Sequence, residues 1–264
     1  MLDYIKRKWS LSIRVIPIVG IIILFKLIFH HMGWEYLSVN PLFSGLVAAS
    51  VFLLGFLISG VLVDYKEGEK LPGEMTSSLE AIFDETWILY KNGKAAQARG
   101  LLQYLADFTA LLKGWFYKKE KTRSVLDRIF GMNEFFAALD PLTKPNFIVR
   151  MKQEQANIRR IVIRIHGIRE TSFVSSGYAV AEAVILLLTI GLLMTIIGPF
   201  YESLFVIGII TFLLVYMLAL IKDLDNPFDY YEKEGGNDEV SLKPLEDLEK
   251  RLRERLSILD ARTN

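Results

Sequence analysis

A stretch of 22 residues without a charged side chain, residues 42–63, most limits what this chain can fold into. An α-helix of that length, rising 1.5 Å per residue, is about 33 Å long, close to the bilayer hydrocarbon thickness of about 30 Å. A helix also satisfies its own backbone hydrogen bonds, which a segment surrounded by lipid must do. The stretch therefore predicts a membrane-spanning helix.

Three further segments are apolar enough to span a membrane. Residues 203–221 carry no charge, and residues 178–198 carry one, Glu182, which should find a polar or basic partner because an isolated carboxylate in lipid is costly. Residues 13–29 have a short apolar centre, Val15 to Phe25, with Arg14 and Lys26 at its ends, whose long side chains are expected to reach the two interfaces. A signal peptide is the alternative for this segment, but no small-residue cleavage site follows it.

The distribution of basic residues predicts the orientation of the four spans. The two short loops, residues 30–41 and 199–202, contain no Lys or Arg. Basic residues precede the first and third spans and follow the fourth: Lys6, Arg7, Lys8, Arg14, Arg159, Arg160, Arg164, Arg169 and Lys222. We therefore expect a multi-pass protein of the cell membrane with both termini and the long middle segment in the cytoplasm.

The predicted fold class is an all-α polytopic membrane protein with four transmembrane helices and a helical cytoplasmic region. We divide it into residues 1–63, with spans one and two; 64–176, the helical cytoplasmic region; 177–222, with spans three and four; and 223–264, the tail. Helix breaks are predicted at Pro72-Gly73, Asn92-Gly93 and Asp140-Pro141. The tail contains an amphipathic helix with the leucine stripe Leu245, Leu248, Leu252, Leu256 and Leu259, which should dock on the body or on a neighbouring subunit.

Composition and motifs exclude several functional classes. A formal net charge of +1 gives no reason to expect a nucleic-acid partner, and the absence of cysteine excludes thiolate chemistry. No phosphate-binding loop, hydrolase or metalloprotease motif is present, so we do not expect an enzyme. His30, His31 and Glu35 are either weak metal-ligand candidates or, on the favoured interpretation, interfacial side chains.

The second span carries the strongest candidate site. Ala48, Phe52, Phe56, Gly60 and Asp64 recur every four residues and are predicted to line a pore, with the two rings as a hydrophobic constriction and Asp64 at the inner mouth. Small residues along the same span permit close helix packing, so an ordinary packed helix explains the pattern equally well.

Acidic residues after the fourth span form a second candidate site. Asp229, Glu232, Glu234 and Asp238 could supply some of the oxygens of a Ca²⁺ site, which needs six to eight. Gly235-Gly236 would leave such ligands poorly ordered, so a solvated loop is the favoured alternative and the identity of any metal stays unknown.

The order of these parts resembles that of the bestrophin channels. The stretch NPLFSGLVAASVFLLGF is similar to the bestrophin neck segment, with Phe52 and Phe56 at positions of neck phenylalanines and Ala48 where a larger apolar residue is usual. Asn226, Pro227 and Phe228 match the motif after the fourth span, with Asp229 in place of its glycine. The residues after Phe56 depart from the family pattern, and the acidic run is thinner than in calcium-activated members. The chain is thus most similar to the divergent prokaryotic proteins of this type.

The resemblance implies a homo-oligomer, a ring of five copies, that conducts small ions passively along an axial pore lined by the second spans. The expected partners are the lipid bilayer, other copies of the chain and the permeating ions. The alternative function is a non-conducting membrane scaffold or sensor whose cytoplasmic helices bind a partner. A transporter fits less well because no inverted repeat or broken span is evident.

Overall fold

The computed structural model describes residues 9–93, 95–170, 175–228, 230 and 239–263. Within these residues the elements are α1 (Ser10–His31), β1 (Leu37–Ser38), α2 (Pro41–Lys91), α3 (Ala95–Phe116), α4 (Thr122–Leu139), a 3₁₀ turn (Asp140–Leu142), α5 (Pro145–Glu170), α6 (Ser175–Leu193), β2 (Thr195–Ile196), α7 (Phe200–Asp225) and α8 (Lys243–Thr263).

The chain forms two compact units. The membrane unit comprises the described parts of residues 1–65 and 172–226, and the second unit those of residues 66–171 and 227–264. Helix α2 contributes its first part to the membrane unit and its last part to the second unit.

Four helices of the membrane unit are long and apolar enough to cross a bilayer, namely α1, α2, α6 and α7. The four predicted spans are therefore confirmed as helices of spanning length. The third ends at Leu193, five residues earlier than predicted, because the chain then leaves the helix and forms β2. Strand β2 pairs in parallel with β1, through Leu37 with Thr195 and Ser38 with Ile196.

Lys26 of α1 joins the two loops of the membrane unit. Its side chain has no solvent exposure, and its ammonium contacts the Glu35 carboxylate at 2.5 Å. It also donates hydrogen bonds to the carbonyls of Leu193, at 3.1 Å, and Thr195, at 2.6 Å. The expectation that Lys26 reaches outward to an interface is therefore wrong: three acceptors use its three N–H donors inside the protein.

Glu35 binds a second group on the same helix. Its other carboxylate oxygen lies 2.9 Å from Nδ1 of His30, one turn beyond Lys26 on α1. Burial alone would raise the pKa of the Glu35 carboxyl, but the hydrogen bonds and charges of Lys26 and His30 bring it below its ordinary value. We call Lys26, His30 and Glu35 the loop triad.

Helix α2 continues through Pro72-Gly73 without interruption. The predicted break there is wrong, although a proline inside a helix removes one hydrogen bond and costs about 3 kcal/mol. Burial of its neighbours offsets this cost, since Leu71, Met75 and Leu79 are all in the core of the second unit. The predicted breaks after Lys91 and at Asp140 are confirmed, the first with Gly93 at a positive φ of 83°.

The tail helix α8 packs on the second unit through the predicted leucine stripe, all five members of which are buried. Three ion pairs flank that stripe: Arg251 with Glu80 and Arg255 with Asp84, both on α2, and Lys113 with Glu246. The stripe thus docks on this chain's own body.

Phe228 anchors the segment that follows α7. Its side chain is fully buried, 6.0 Å from the Phe116 ring between centroids. A Cβ added to Gly68 of α2 would lie 3.3 Å from the Phe228 ring and from Pro227, so glycine leaves the space that this aromatic fills. Tyr230 then donates from its hydroxyl to the Val240 carbonyl, and the Val240 amide donates to the Pro227 carbonyl.

We expect Phe228→Ala to lower the free energy of unfolding by about 3–5 kcal/mol, because it leaves a cavity against Gly68 and Phe116. Thermal unfolding of purified protein in mild detergent measures the loss. Phe130→Ala is the matched control: Phe130 is 66% exposed, so its loss should change stability by no more than about 0.5 kcal/mol. Equal effects of the two substitutions would contradict the anchor.

We expect Lys26→Met to destabilise the membrane unit by about 3 kcal/mol, because it leaves Glu35 and two buried carbonyls without their donor. The apparent melting temperature in detergent reports this change. Arg14→Met removes an exposed cation from the same helix and serves as control. A Lys26→Met protein as stable as the Arg14→Met protein would show that the contacts of Lys26 add no stability.

Candidate functional site

The two phenylalanines predicted to form a constriction lie on the uncovered side of α2. Phe52 is 77% exposed and Phe56 is 68% exposed in the single chain, and Ala48 is exposed one turn before them. The remaining two members of the predicted row differ. Gly60 and Asp64 are half-buried, and Asp64 interacts with another group of the protein.

Helical geometry explains why the row divides. Each step of four residues advances about 400° around a helix of 3.6 residues per turn, so the row drifts by about 40° per step. Asp64 therefore points about 120° away from Phe52. A spacing that alternates four and three residues stays on one face, and such a series is exposed throughout: Gly45, Ala49, Phe52, Phe56, Ser59 and Val63. In the sequence, the alternating spacing identifies this exposed face, whereas a constant four-residue spacing does not.

The opposite side of α2 forms the core of the membrane unit. Leu54, Leu57 and Val61 are buried in one apolar cluster with residues of α6 and α7. Close packing also fixes the start of α2, where the Phe43 ring fills the space beside Gly191 of α6. One face of α2 therefore packs within its own chain, and the face of Phe52 and Phe56 is not covered by it.

The start of α2 has the residues that a helix N-terminus favours. Asn40 accepts a hydrogen bond from the Phe43 amide at its side-chain oxygen, 2.8 Å away, as an N-cap residue does. Pro41 occupies the first helical position, where its missing N–H costs nothing. One residue separates this cap from β1, so Glu35, β1 and the start of α2 follow one another closely along the chain.

The outward face of α2 differs in composition from those of the other three spans. The exposed side chains of α1, α6 and α7 include Ile16, Leu24, Leu187, Phe205 and Ile209, which suit lipid tails. On α2, Leu42, Leu46 and Val63 are exposed as well, but the two phenylalanines are surrounded by the exposed small residues Gly45, Ala48, Ala49 and Ser59. Small residues allow close approach of another helix and make little contact with lipid.

Glu182 of α6 has the partner that the sequence predicts. Lys222 of α7 donates to its carboxylate, and both side chains are about half exposed. The two helices therefore share one charge pair at the end of the unit opposite the loop triad. Arg169, which precedes this span in the sequence, instead contacts Trp115 in the second unit.

The predicted cation site lies outside the described residues. Asp229, Glu232, Glu234 and Asp238 all fall there, so the Ca²⁺ interpretation stays a prediction. Among the residues that the structure does describe, no group of three or more His, Cys, Asp or Glu side chains could hold a metal ion. His30 and Glu35 contact each other, without His31.

An open groove of about 550 Å³ lies between α2 and α5 in the second unit. At one wall Arg164 and Glu67 form a bidentate pair, with N–O distances of 2.8 and 2.7 Å. This pairing satisfies both groups internally, so the groove offers a ligand little unpaired charge at that wall.

The comparisons with known proteins give matches to solved structures and to nothing else. No family model matches the chain, and no curated protein does. A tryptophan-to-alanine variant of a bacterial bestrophin homologue from Klebsiella pneumoniae superposes with a TM-score of 0.76 at 18% identity, over 94% of this chain and 98% of that one. A second structure of that homologue, phased with zinc, gives a TM-score of 0.73 at 17% identity, over 92% and 98%.

These matches cover both units at an identity too low to transfer residue roles. They agree with the resemblance that the second span and the Asn-Pro-Phe motif show in the sequence, and they confirm it for the fold. The chain is thus a divergent bestrophin-like protein in its fold, a helical membrane protein with the architecture of the Klebsiella pneumoniae bestrophin homologue.

Proposed function

We propose that the chain is a subunit of an oligomeric ion channel that conducts small ions passively along an axis lined by α2. The observation that carries the proposal is the outward face of α2, on which Phe52 and Phe56 stand exposed among Gly45, Ala48, Ala49 and Ser59. The bestrophin-like fold supports the same conclusion, since the family that it resembles consists of channels.

Repetition of α2 around an axis would give this face a function. Two phenylalanines one turn apart in every copy make two apolar rings, and a narrow apolar constriction closes to hydrated ions by dewetting. The small residues nearby allow the helices to approach closely enough for the rings to form. A ring of five is the oligomer implied by the resemblance.

The proposed orientation places the loop triad outside the cell and both termini in the cytoplasm. Its support is the absence of Lys and Arg from the two short loops and their abundance at the other ends of the spans. The partners are then the bilayer, further copies of the chain and the permeating ions.

Asp64 fits a minor place in this pore. It is half-buried, already interacts within the protein and lies off the face of the two phenylalanines. We therefore expect Asp64→Asn to change the ion preference only slightly, less than the loss of a carboxylate that is fully exposed to the pore.

We expect the chain to form a stable ring in mild detergent, because the outward face of α2 needs a neighbour. A mass measurement that excludes bound detergent should give about 151 kDa for five chains of 30.2 kDa. A population consisting of monomers alone would refute an axial pore, since one subunit cannot enclose it.

We expect the double variant Phe52→Ala with Phe56→Ala to raise conductance or open probability, because it removes the apolar constriction. Currents through purified protein in planar bilayers measure this, and the reversal potential under a salt gradient gives the ion preference. Phe25→Ala with Phe205→Ala is the matched control, since it removes two exposed phenylalanines from α1 and α7. Conductance equal to that of the unchanged protein would place the constriction elsewhere, and absence of current in every form would favour the scaffold function.

A further inference from the structure

The loop triad links a titratable side chain to the start of α2. His30 is 47% exposed and contacts Glu35, which is 13% exposed; Lys26 behind them is fully buried. The ring of His30 also stacks on Phe200, the first residue of α7, with centroids 3.8 Å apart. One imidazole therefore contacts both the loop that leads into α2 and the helix that follows the other loop.

Glu35 holds the two loops together through its neighbours in the chain. Directly after it, the amides of Tyr36 and Leu37 donate to the Met194 carbonyl at 2.9 and 3.0 Å. The β1–β2 pair follows, and then the Asn40 cap of α2. A stronger interaction between His30 and Glu35 therefore also strengthens the attachment of the first turn of α2 to the end of α6.

The charged groups around His30 leave Glu35 as its counter-ion. Lys26, on the same helix, is already bound by Glu35 and two carbonyls. From α7 the contact is the apolar Phe200 ring, and Glu202 in the same first turn forms no ion pair with His30 in the described structure. The end of α6 contributes backbone carbonyls, and the adjacent His31 is exposed.

We propose that the loop triad is a proton-sensitive latch, in which protonation of His30 tightens the junction between the two loops and so fixes the start of α2. Protonation turns the His30–Glu35 hydrogen bond into an ion pair, and imidazole is the side chain whose charge ordinarily changes between pH 5 and 8. The latch rests on the geometry of the membrane unit and stands whether or not α2 lines a pore.

Glu35 keeps its charge over the range in which the latch works. The pKa of its carboxyl lies below the ordinary 4.5, so the stability gained from its ionised form is present above that value and is lost as the pH falls through the lowered pKa. Glu35 therefore stays ionised between pH 5.5 and 8.

Amide hydrogen exchange of the full-length protein in detergent tests the latch directly. After correction for the intrinsic rate, protection of the Tyr36 and Leu37 amides should be roughly two- to five-fold higher at pH 5.5 than at pH 8, the size of effect of a half-exposed ion pair. The Val240 amide, which donates to Pro227 in the second unit, is the internal reference and should not change with pH.

Three histidines allow a matched set of variants. His30→Gln keeps a polar side chain that cannot take a charge in this range, and it should abolish the pH dependence at Tyr36 and Leu37. The double variant His31→Gln with His166→Gln leaves His30 as the sole histidine and should keep the dependence in full. Glu35→Gln removes the counter-ion and should also abolish it.

Two results would overturn the latch. One is protection at Tyr36 and Leu37 that does not change between pH 5.5 and 8 in the unchanged protein. The other is a pH dependence that persists in His30→Gln, or that disappears in the double variant while the amides in the middle of α7 stay protected. Helix α7 belongs to the same unit as the loop triad, so retained protection there shows that the membrane unit of a variant is folded. A folding failure is therefore distinguishable from either result.

Discussion

The membrane unit has a charge pair at each end, because a charged group among apolar side chains or lipid tails is costly without a partner. At one end Lys26 is enclosed, and Glu35 with the carbonyls of Leu193 and Thr195 closes around it. At the other end Lys222 of α7 neutralises Glu182 of α6. Charge pairs thus add to the apolar packing of the helices. The first of them is joined to the start of α2 through the loop whose Tyr36 and Leu37 amides bind the Met194 carbonyl.

Sequence predicted the elements that depend on length and periodicity, and it missed those that depend on distant contacts. The four spans and the leucine stripe of α8 are each visible in a local window. Pro72 gave a wrong helix break because burial of Leu71, Met75 and Leu79 far outweighs one missing hydrogen bond. The β1–β2 pair is two residues long, too short for any alternation to show, and its partners are more than 150 residues apart.

The spacing of the second span places Phe52 and Phe56 on one exposed face of α2, but Gly60 and Asp64, at the same spacing, rotate away from it. That these residues line a pore stays a prediction. The enclosed position of Lys26 is not predictable from its neighbours in the sequence, because two of its three acceptors lie almost 170 residues away. Whether α2 meets lipid or further copies of itself is a property of an assembly, which one chain does not determine.

The contact between Gly68 and Phe228 bears on how the sequence of such a protein can change over time. Residue 68 lies inside a long helix, where a larger side chain would favour the helical state, yet any Cβ there meets the aromatic ring and the proline of the motif after α7. The two sites, 160 positions apart, share one fixed volume. Drift at either is therefore tied to drift at the other, and a lineage that lost the ring would be free to replace the glycine.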